Sequence, residues 1–452
     1  MTSGSITKLL IMFAVPLVIG NLFQQLYNTV DSLVVGNFVG SHALAAVGST
    51  TSIINMIVMF FTGTSVGAGV VISRYYGAHD DEKLHIAVET TMAVTFICGI
   101  IFTGLGIFVA PYMLKFMSTP DDVLPSASVY LKIYFSGVFG LLVYNMGSAI
   151  LRAVGDTKRP LYFLSLAGVV NIVLNLFFVI VCKLDVAGVA IATVISQCLS
   201  AAFVVFFLTK KSELKLRFLH KNEIPECTGH AKNILSLGAA GFIMQLTNSL
   251  VTICCNNILS VTGGDIYISV MTIISSVRQL VETPIHAMVE GTSPILSYNY
   301  GARRPGRVRK SILIMSLLVF GYTAVMWSMI ILIPETLIRI FSSDAALIQD
   351  AVPALNMYFA AFIFMDLQYI GQAVFKSLNK KVFAIFFSLL RKVFIVVPLT
   401  YLLPYAMHMG TDGVFLAEPV SNVIGGTACI LTMLITIMPE LKRIEVENRR
   451  AA

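Results

Sequence analysis

The chain has 452 residues, of which 57% are hydrophobic and only 12% charged, with a mean hydropathy of +0.84 and a formal net charge of +7. Soluble domains carry about 25% charged residues, so a water-soluble enzyme or binding module is excluded, and no basic soluble face exists on which the positive charge could hold nucleic acid. The seven cysteines, at 98, 182, 198, 227, 254, 255 and 429, form no CxxC or His/Cys cluster and read as small buried apolar residues without a metal or disulfide role.

Twelve apolar stretches follow one another, at roughly 9–35, 46–72, 88–114, 126–150, 161–182, 187–209, 234–260, 267–297, 311–333, 351–375, 382–403 and 412–438. Each is long enough to cross about 30 Å of hydrocarbon, which takes about 20 helical residues. The first is not expected to be a cleaved signal peptide, because Pro16, Asn21, Gln24, Gln25, Asn28 and Asp31 interrupt it. The fold predicted is an all-α polytopic membrane protein with twelve transmembrane helices in two pseudo-symmetric six-helix lobes. Residues 1–209 form the N-terminal lobe, 210–233 a polar, basic connector with Pro225 and Gly229, 234–440 the C-terminal lobe and 441–452 a tail.

The halves are copies. A shift of 224 carries Leu131, Tyr134, Phe135, Gly147 and Ala149 onto Leu355, Tyr358, Phe359, Gly371 and Ala373. The same shift carries Gly67 onto Gly291 and Tyr76-Gly77-Ala78 onto Tyr300-Gly301-Ala302, and a shift of 220 aligns Gln25-Leu26 and Asn28 with Gln245-Leu246 and Asn248. Two similar membrane halves are the sequence signature of secondary transporters, in which bundles rock about a central site.

Orientation follows from the bases. With an even number of spans both termini share a side, and 24 of the 31 Lys and Arg lie on it, the connector and the run Arg303/Arg304/Arg307/Arg309/Lys310 included. The opposite side has only Lys115, Lys183 and Arg339. Positive-inside logic puts the connector, the tail and both termini in the cytoplasm of a cell whose plasma membrane holds the chain. No remaining loop is large enough for a soluble catalytic domain.

Polar groups within the spans need a reason, since a mid-helix charge costs about 2.5–3.5 kcal/mol on insertion scales. In the first span Asn21, Gln24/Gln25, Asn28 and Asp31 step by three and four and form one stripe. It is either a hydrogen-bonded helix seam or the lining of a wet cavity in which Asp31 loads a cation or proton. The seventh span has the sister stripe Gln245, Asn248/Ser249, Thr252 and Asn256 without an acid, because Val251 stands where Asp31 would. Asn171 and Asn175 share a face of the fifth span, either as mutual structural glue or as completion of the Asp31 site.

Arg278, Glu282, His286 and Glu290 step by four along the eighth span, a ladder that drifts about 40° per step. Arg278–Glu282 reads as an ion pair, with His286 and Glu290 as cavity candidates; no further ligands complete a metal shell. Asp366, with Gln368, Tyr369 and Gln372 nearby, is a second candidate cavity acid, and Arg391-Lys392 in the eleventh span are expected to neutralise an acid rather than touch substrate. Gly155-Asp156-Thr157-Lys158-Arg159-Pro160 lacks the spacing and strand of a phosphate loop and is a topological turn.

Taken together, Gln25-Leu-Tyr-Asn-Thr-Val-Asp31-Ser-Leu-Val-Val-Gly36, Leu151-Arg-Ala-Val-Gly-Asp-Thr-Lys-Arg-Pro160, Asn171-Ile-Val-Leu-Asn175 and Ser297-Tyr-Asn-Tyr-Gly-Ala302 resemble the multidrug and toxic compound extrusion (MATE) family, most nearly its MepA-like bacterial branch. The resemblance covers nearly the whole chain. It implies an antiporter exporting bulky, often cationic organic compounds against inward H⁺ or Na⁺, with two six-helix lobes and no cofactor beyond the coupling ion. It implies a cation-coupling role for Asp31 and places Asn171 at the family's fifth-helix Asn; the family often has Asp where this chain has Asn175. Asp366-Leu367-Gln368 matches a tenth-helix motif of some members. Their seventh-helix Glu has no match among Gln245, Asn248 and Asn256, which leaves Glu282 or Glu290 as stand-ins. The expected partners are small organic cations, the coupling cation and membrane lipids, with no nucleic acid, and the chain is expected to act as a monomer.

A lipid-linked-oligosaccharide flippase of the same superfamily is the alternative; such proteins tend to have more cavity cations, whereas the acids here predominate among the candidate cavity groups. An intramembrane enzyme would need a constellation such as HExxH or GxSxG, and none occurs.

In a cysteine-free background, a cysteine at Ser212 should be labelled by an impermeant maleimide only from the cytoplasm and one at Ser343 only from outside. Labelling of both from one side contradicts the orientation.

Overall fold

A computed structural model describes residues 4–117, 119–210, 224–342 and 344–451. The connector stretch 211–223, the labelling positions Ser212 and Ser343, and the side chains of Asn28 and Gln245 lie outside the described residues. The described elements are helices: α1 Ile6–Val34, α2 Ser41–Ala78, α3 Asp81–Phe116, α4 Leu124–Ala153, α5 Lys158–Leu176, α6 Asp185–Lys210, α7 Ile224–Thr262 and α8 Asp265–Gly301. They continue with α9 Pro305–Leu332, α10 Pro334–Arg339, α11 Ala345–Tyr358, α12 Ile363–Ser377, α13 Lys381–Leu389, α14 Val397–Ala406 and α15 Gly410–Ala451. π-helical segments extend α1 (Val35–Val39) and α5 (Phe177–Val181) and join α13 to α14 (Leu390–Val396). Helices dominate because hydrocarbon offers the backbone no hydrogen-bond partner, so each span must satisfy its own amides.

Ten helical stretches among the described residues are long and apolar enough to span, and α11 with α12, bent by 51°, makes an eleventh. The twelfth is α8. Its 37 residues extend about 55 Å, but Asp265, Arg278, Glu282 and Glu290 dilute its apolarity. The chain is thus an all-α polytopic membrane protein of twelve spans in two halves. α3 turns Ile97, Ile100, Leu105, Phe108 and Tyr112 outward at helical spacing, an apolar stripe suited to lipid contact.

The duplication is visible in the turns. Positive φ occurs at Gly40, His79 and Gly155 in the first half and, 224 residues on, at Gly264, Arg303 and Asn379. Lys183 and Asp185 likewise correspond to His408 and Gly410, at a shift of 225. These left-handed residues turn one span into the next, and non-glycine residues there accept a steric cost that most sequences avoid. The halves differ elsewhere. The tenth span expected at 351–375 breaks at Phe359–Phe362, between α11 and α12, whereas its counterpart α4 is continuous. At the break the Phe359 carbonyl accepts from Trp327 Nε1 at 2.8 Å as well as from the Phe362 N–H at 3.1 Å.

Two compact units emerge, Pro16–Phe242 and Met1–Val15 with Ile243–Ala452. Their edges fall inside α1 and α7, not in the connector, and the expected tail 441–452 continues α15 through Ala451. Two duplicated glycines account for this. In the first unit α7 begins against α2 at Gly67, where an added Cβ would lie 2.9 Å from the Ile234 carbonyl oxygen and from Leu237 Cβ. In the second unit α1 begins against α8 at Gly291, where a Cβ would lie 3.1 Å from Ala14 Cα and N. Each half's first helix thus starts on the second helix of the other half. Only a residue without a side chain permits that approach.

Gly67→Ala and Gly291→Ala should each lower the thermal midpoint in detergent, by the equivalent of about 1–3 kcal/mol of overpacking, with Gly67→Ala the more severe. Gly104→Ala, with nothing within 4 Å of its Cβ position, should leave the midpoint unchanged. Equal midpoints for all three would contradict the packing account.

Candidate functional site

In the unit Pro16–Phe242, α1, α5 and α6 bring their polar residues together. Asp31 is buried, and the Asn175 side-chain amide donates to its carboxylate. The second Asn175 N–H donates to Asn171 Oδ1 at 3.1 Å, Asn171 Nδ2 donates to Thr193 Oγ1 at 3.4 Å, and the Thr193 hydroxyl donates to the Val189 carbonyl at 3.0 Å. The four-residue spacing of Asn171 and Asn175 puts both amides on one helix face, and Thr193 of α6 closes the chain. Both protons of the Asn175 amide are used, while its Oδ1 is buried without a partner. No Lys or Arg within ion-pairing distance compensates Asp31 among the described residues.

Backbone geometry supports this cluster. α1 gives way to its π-helical segment at Val35, one turn beyond Asp31, and α5 does so at Phe177, two residues beyond Asn175. The two segments touch. A π turn adds a residue to the helical turn and re-aims the face that follows, which is why such turns concentrate at functional positions.

The second unit collects its charges about Glu418 of α15. Glu418 Oε1 lies 2.9 Å from Arg278 Nη1, 3.0 Å from Arg391 Nη1 and 3.0 Å from Lys392 Nζ. Arg278 also donates to Glu282 and, at 2.5 Å, to the Tyr358 hydroxyl. Arg391 donates to Asn422 Oδ1 at 2.5 Å. Three cations thus face two carboxylates, and Arg391 and Lys392 are only 5% and 4% exposed, which is tolerable only because each is paired. Both sit in the π-helical segment Leu390–Val396.

Asp366 stands at the start of α12, just past the helix break. Thr323 Oγ1 donates to its Oδ1 at 3.1 Å, and its Oδ2 is buried without a partner. Like Asp31, it has no Lys or Arg at ion-pairing distance among the described residues.

Asp31, Asn171 and Asn175 therefore converge as the sequence suggests, and Arg278–Glu282 and the acid-neutralising role of Arg391-Lys392 are seen. Gln25 is exposed and does not join them; its carbonyl accepts from Thr29. The ladder on α8 does not act as a unit. Glu282 turns to Arg278, exposed His286 meets the Tyr369 ring edge-on at 4.8 Å, and Glu290 is an electrostatic neighbour of Lys376. Gln368 and Gln372 donate to the Phe387 and Ala384 carbonyls of α13 at 3.3 and 3.2 Å and so fasten helices. Glu418 escapes the sequence reading, although a single acid mid-span is itself a signal. With it, Glu282 and Glu418 are paired with Arg278, Arg391 and Lys392, and Glu290 has Lys376 as its neighbour, while Asp31 and Asp366 keep only amide and hydroxyl partners.

Known proteins share this architecture. The family profile described as MatE matches residues 16–177 and 240–402. The chain is 32% identical over 209 residues to the probable multidrug resistance protein YpnP of Bacillus subtilis, an alignment covering 46% of this chain and 47% of that protein, so it spans about half of that relative's length. It is 23% identical over 367 residues to the multidrug export protein MepA of Staphylococcus haemolyticus, covering 81% and 80% of the two chains. A MATE crystal structure in the bent conformation superposes with a TM-score of 0.90 over 97% of both chains at 22% identity.

Glu418→Gln should destabilise the detergent-solubilised protein by about 3–5 kcal/mol, because buried Arg391 and Lys392 lose their shared counter-charge. Lys392→Met in the same chain should restore part of that loss. A double-variant thermal midpoint equal to the sum of the single effects would contradict coupling through Glu418.

Proposed function

Because the chain belongs to the MatE family, we propose that it is a secondary antiporter of the plasma membrane, with cytoplasmic termini, that exports organic cations in exchange for H⁺ or Na⁺. One observation carries this reading: each unit holds a buried aspartate, Asp31 or Asp366, with no Lys or Arg within ion-pairing distance among the described residues. Glu282 and Glu418 are already neutralised by Arg278, Arg391 and Lys392. Of these four acids, Asp31 and Asp366 are the ones with charge to offer a cation.

Asp31 is the coupling site in this account. An uncompensated carboxylate away from water is costly, and binding a proton or a Na⁺ ion relieves that cost. The Asn175 amide holds the carboxylate in place, and its unused Oδ1 is a further oxygen of the kind hard cations require. Asp366, held by Thr323, supplies a separate acid in the other unit. The helix break beside it supplies exchangeable backbone geometry, as discontinuous helices do in transporters. Names of relatives such as the MepA export protein support drug-like compounds as cargo.

The cluster about Glu418, where Arg278, Arg391 and Lys392 outnumber Glu282 and Glu418 by one charge, favours a second reading, in which the cargo also presents an anionic group, as a lipid-linked sugar phosphate does. Competition separates the two: a monovalent lipophilic cation should inhibit efflux of a cationic dye, and an organic phosphate should not.

Asp31→Asn should abolish dye efflux and drug resistance in cells while leaving membrane insertion, yield and thermal midpoint near wild type, since the isostere keeps the hydrogen bonds but cannot exchange charge. Normal efflux at normal expression would refute the assignment.

A further inference from the structure

The second unit has a cleft of about 610 Å³ between the start of α9 and the end of α15, and neither the transport chemistry nor the duplication explains it. Arg303, Arg304, Arg307, Lys310 and Arg449 line it, and Glu445 is the one acid among the lining residues. That acid is already shared: Glu445 Oε2 accepts from Arg309 at 2.9 Å and Oε1 from Arg449 at 3.2 Å. Arg303 pairs with Glu447, and Arg307 donates to Asn299 Oδ1 and to the Gly4 carbonyl, both at 3.2 Å. Arg304 and Lys310 are exposed and have no carboxylate partner among the described residues. The cleft therefore holds uncompensated positive charge.

Two further features identify what fits it. The matching positions of the first half, 224 residues earlier, are His79, Asp80, Lys83 and Ile86, so the concentration of bases is peculiar to this corner and is more than the general bias of cytoplasmic loops. Along α9, Leu313 and Leu317 stand three and seven residues beyond Lys310, on the same helix face, and are 59% and 64% exposed. A basic cleft thus opens directly onto an apolar strip leading towards the bilayer. A soluble phosphate would use only the bases, whereas an anionic phospholipid uses both.

We propose that this cleft binds the phosphate headgroup of an anionic phospholipid from the cytoplasmic leaflet, with Arg304 and Lys310 as its principal charge partners and the Leu313–Leu317 strip receiving an acyl chain. Basic pockets between membrane helices on this side of the bilayer select such headgroups. The assignment needs the cytoplasmic placement of the cleft and is independent of what the protein exports.

The test is lipid retention by the full-length protein, measured by native mass spectrometry after equilibration in detergent with equal phosphatidylglycerol and phosphatidylcholine. Wild type should retain phosphatidylglycerol preferentially, and Arg304→Gln with Lys310→Gln should weaken it roughly thirty-fold, about five-fold or more per base. Lys442→Gln with Arg450→Gln removes the same charge outside the cleft and should leave retention unchanged. Equal retention of both lipids by wild type, an unaltered preference in the cleft variant, or an equal loss in the Lys442/Arg450 variant would each overturn the proposal. Full competition by millimolar inorganic phosphate would overturn the lipid assignment in favour of a soluble phosphate ligand.

Discussion

A charge removed from water must be balanced by groups its neighbours supply, and in a membrane those neighbours are other helices. The second unit meets this demand about Glu418, whose carboxylate is reached by Arg278 of α8 and by Arg391 and Lys392 of the π-helical segment. The same rule makes Asp31 and Asp366 conspicuous. They are as deeply placed, yet they have amide and hydroxyl partners in place of cations. A buried acid that the fold leaves unbalanced is one that a mobile cation can balance, which is the basis of the coupling proposed for Asp31 and Asp366.

Duplication supplies the frame and divergence supplies the chemistry. The turn residues with positive φ recur at a nearly constant shift, as do the glycines that let α7 start on α2 and α1 start on α8. The π-helical segments at Val35–Val39, Phe177–Val181 and Leu390–Val396 do not recur, nor does the break at Phe359–Phe362. These departures lie beside Asp31, Asn175, Arg391 and Asp366. Local helix irregularity is thus spent where polar side chains must be re-aimed, and the repeated parts hold those places steady.

Much of this was legible in the sequence because apolar length and helical spacing are local properties. The spans, the pairing of Asn171 with Asn175 across one helical turn and the Arg278–Glu282 pair all depend on residues close together in the chain. What failed depended on distant partners. Glu418 is followed at helical spacing by Ser421 and Asn422, but the cations that give it meaning come from other helices. The α8 ladder looked like one face, but a drift of about 40° per step sends Glu282, His286 and Glu290 to different neighbours. Gln368 and Gln372, near Asp366 in sequence, reach carbonyls of α13, a partner the sequence does not reveal. The unit edges inside α1 and α7 were hidden because chain order cannot show where a helix docks.

The most direct test of the account is transport by the purified protein in proteoliposomes, with a proton gradient and a sodium gradient imposed separately and a fluorescent organic cation as cargo. One of the two gradients should drive the dye uphill, and collapsing it with an ionophore should release the accumulated dye. Dye movement that proceeds only down its own gradient under both conditions would contradict a cation-coupled exporter.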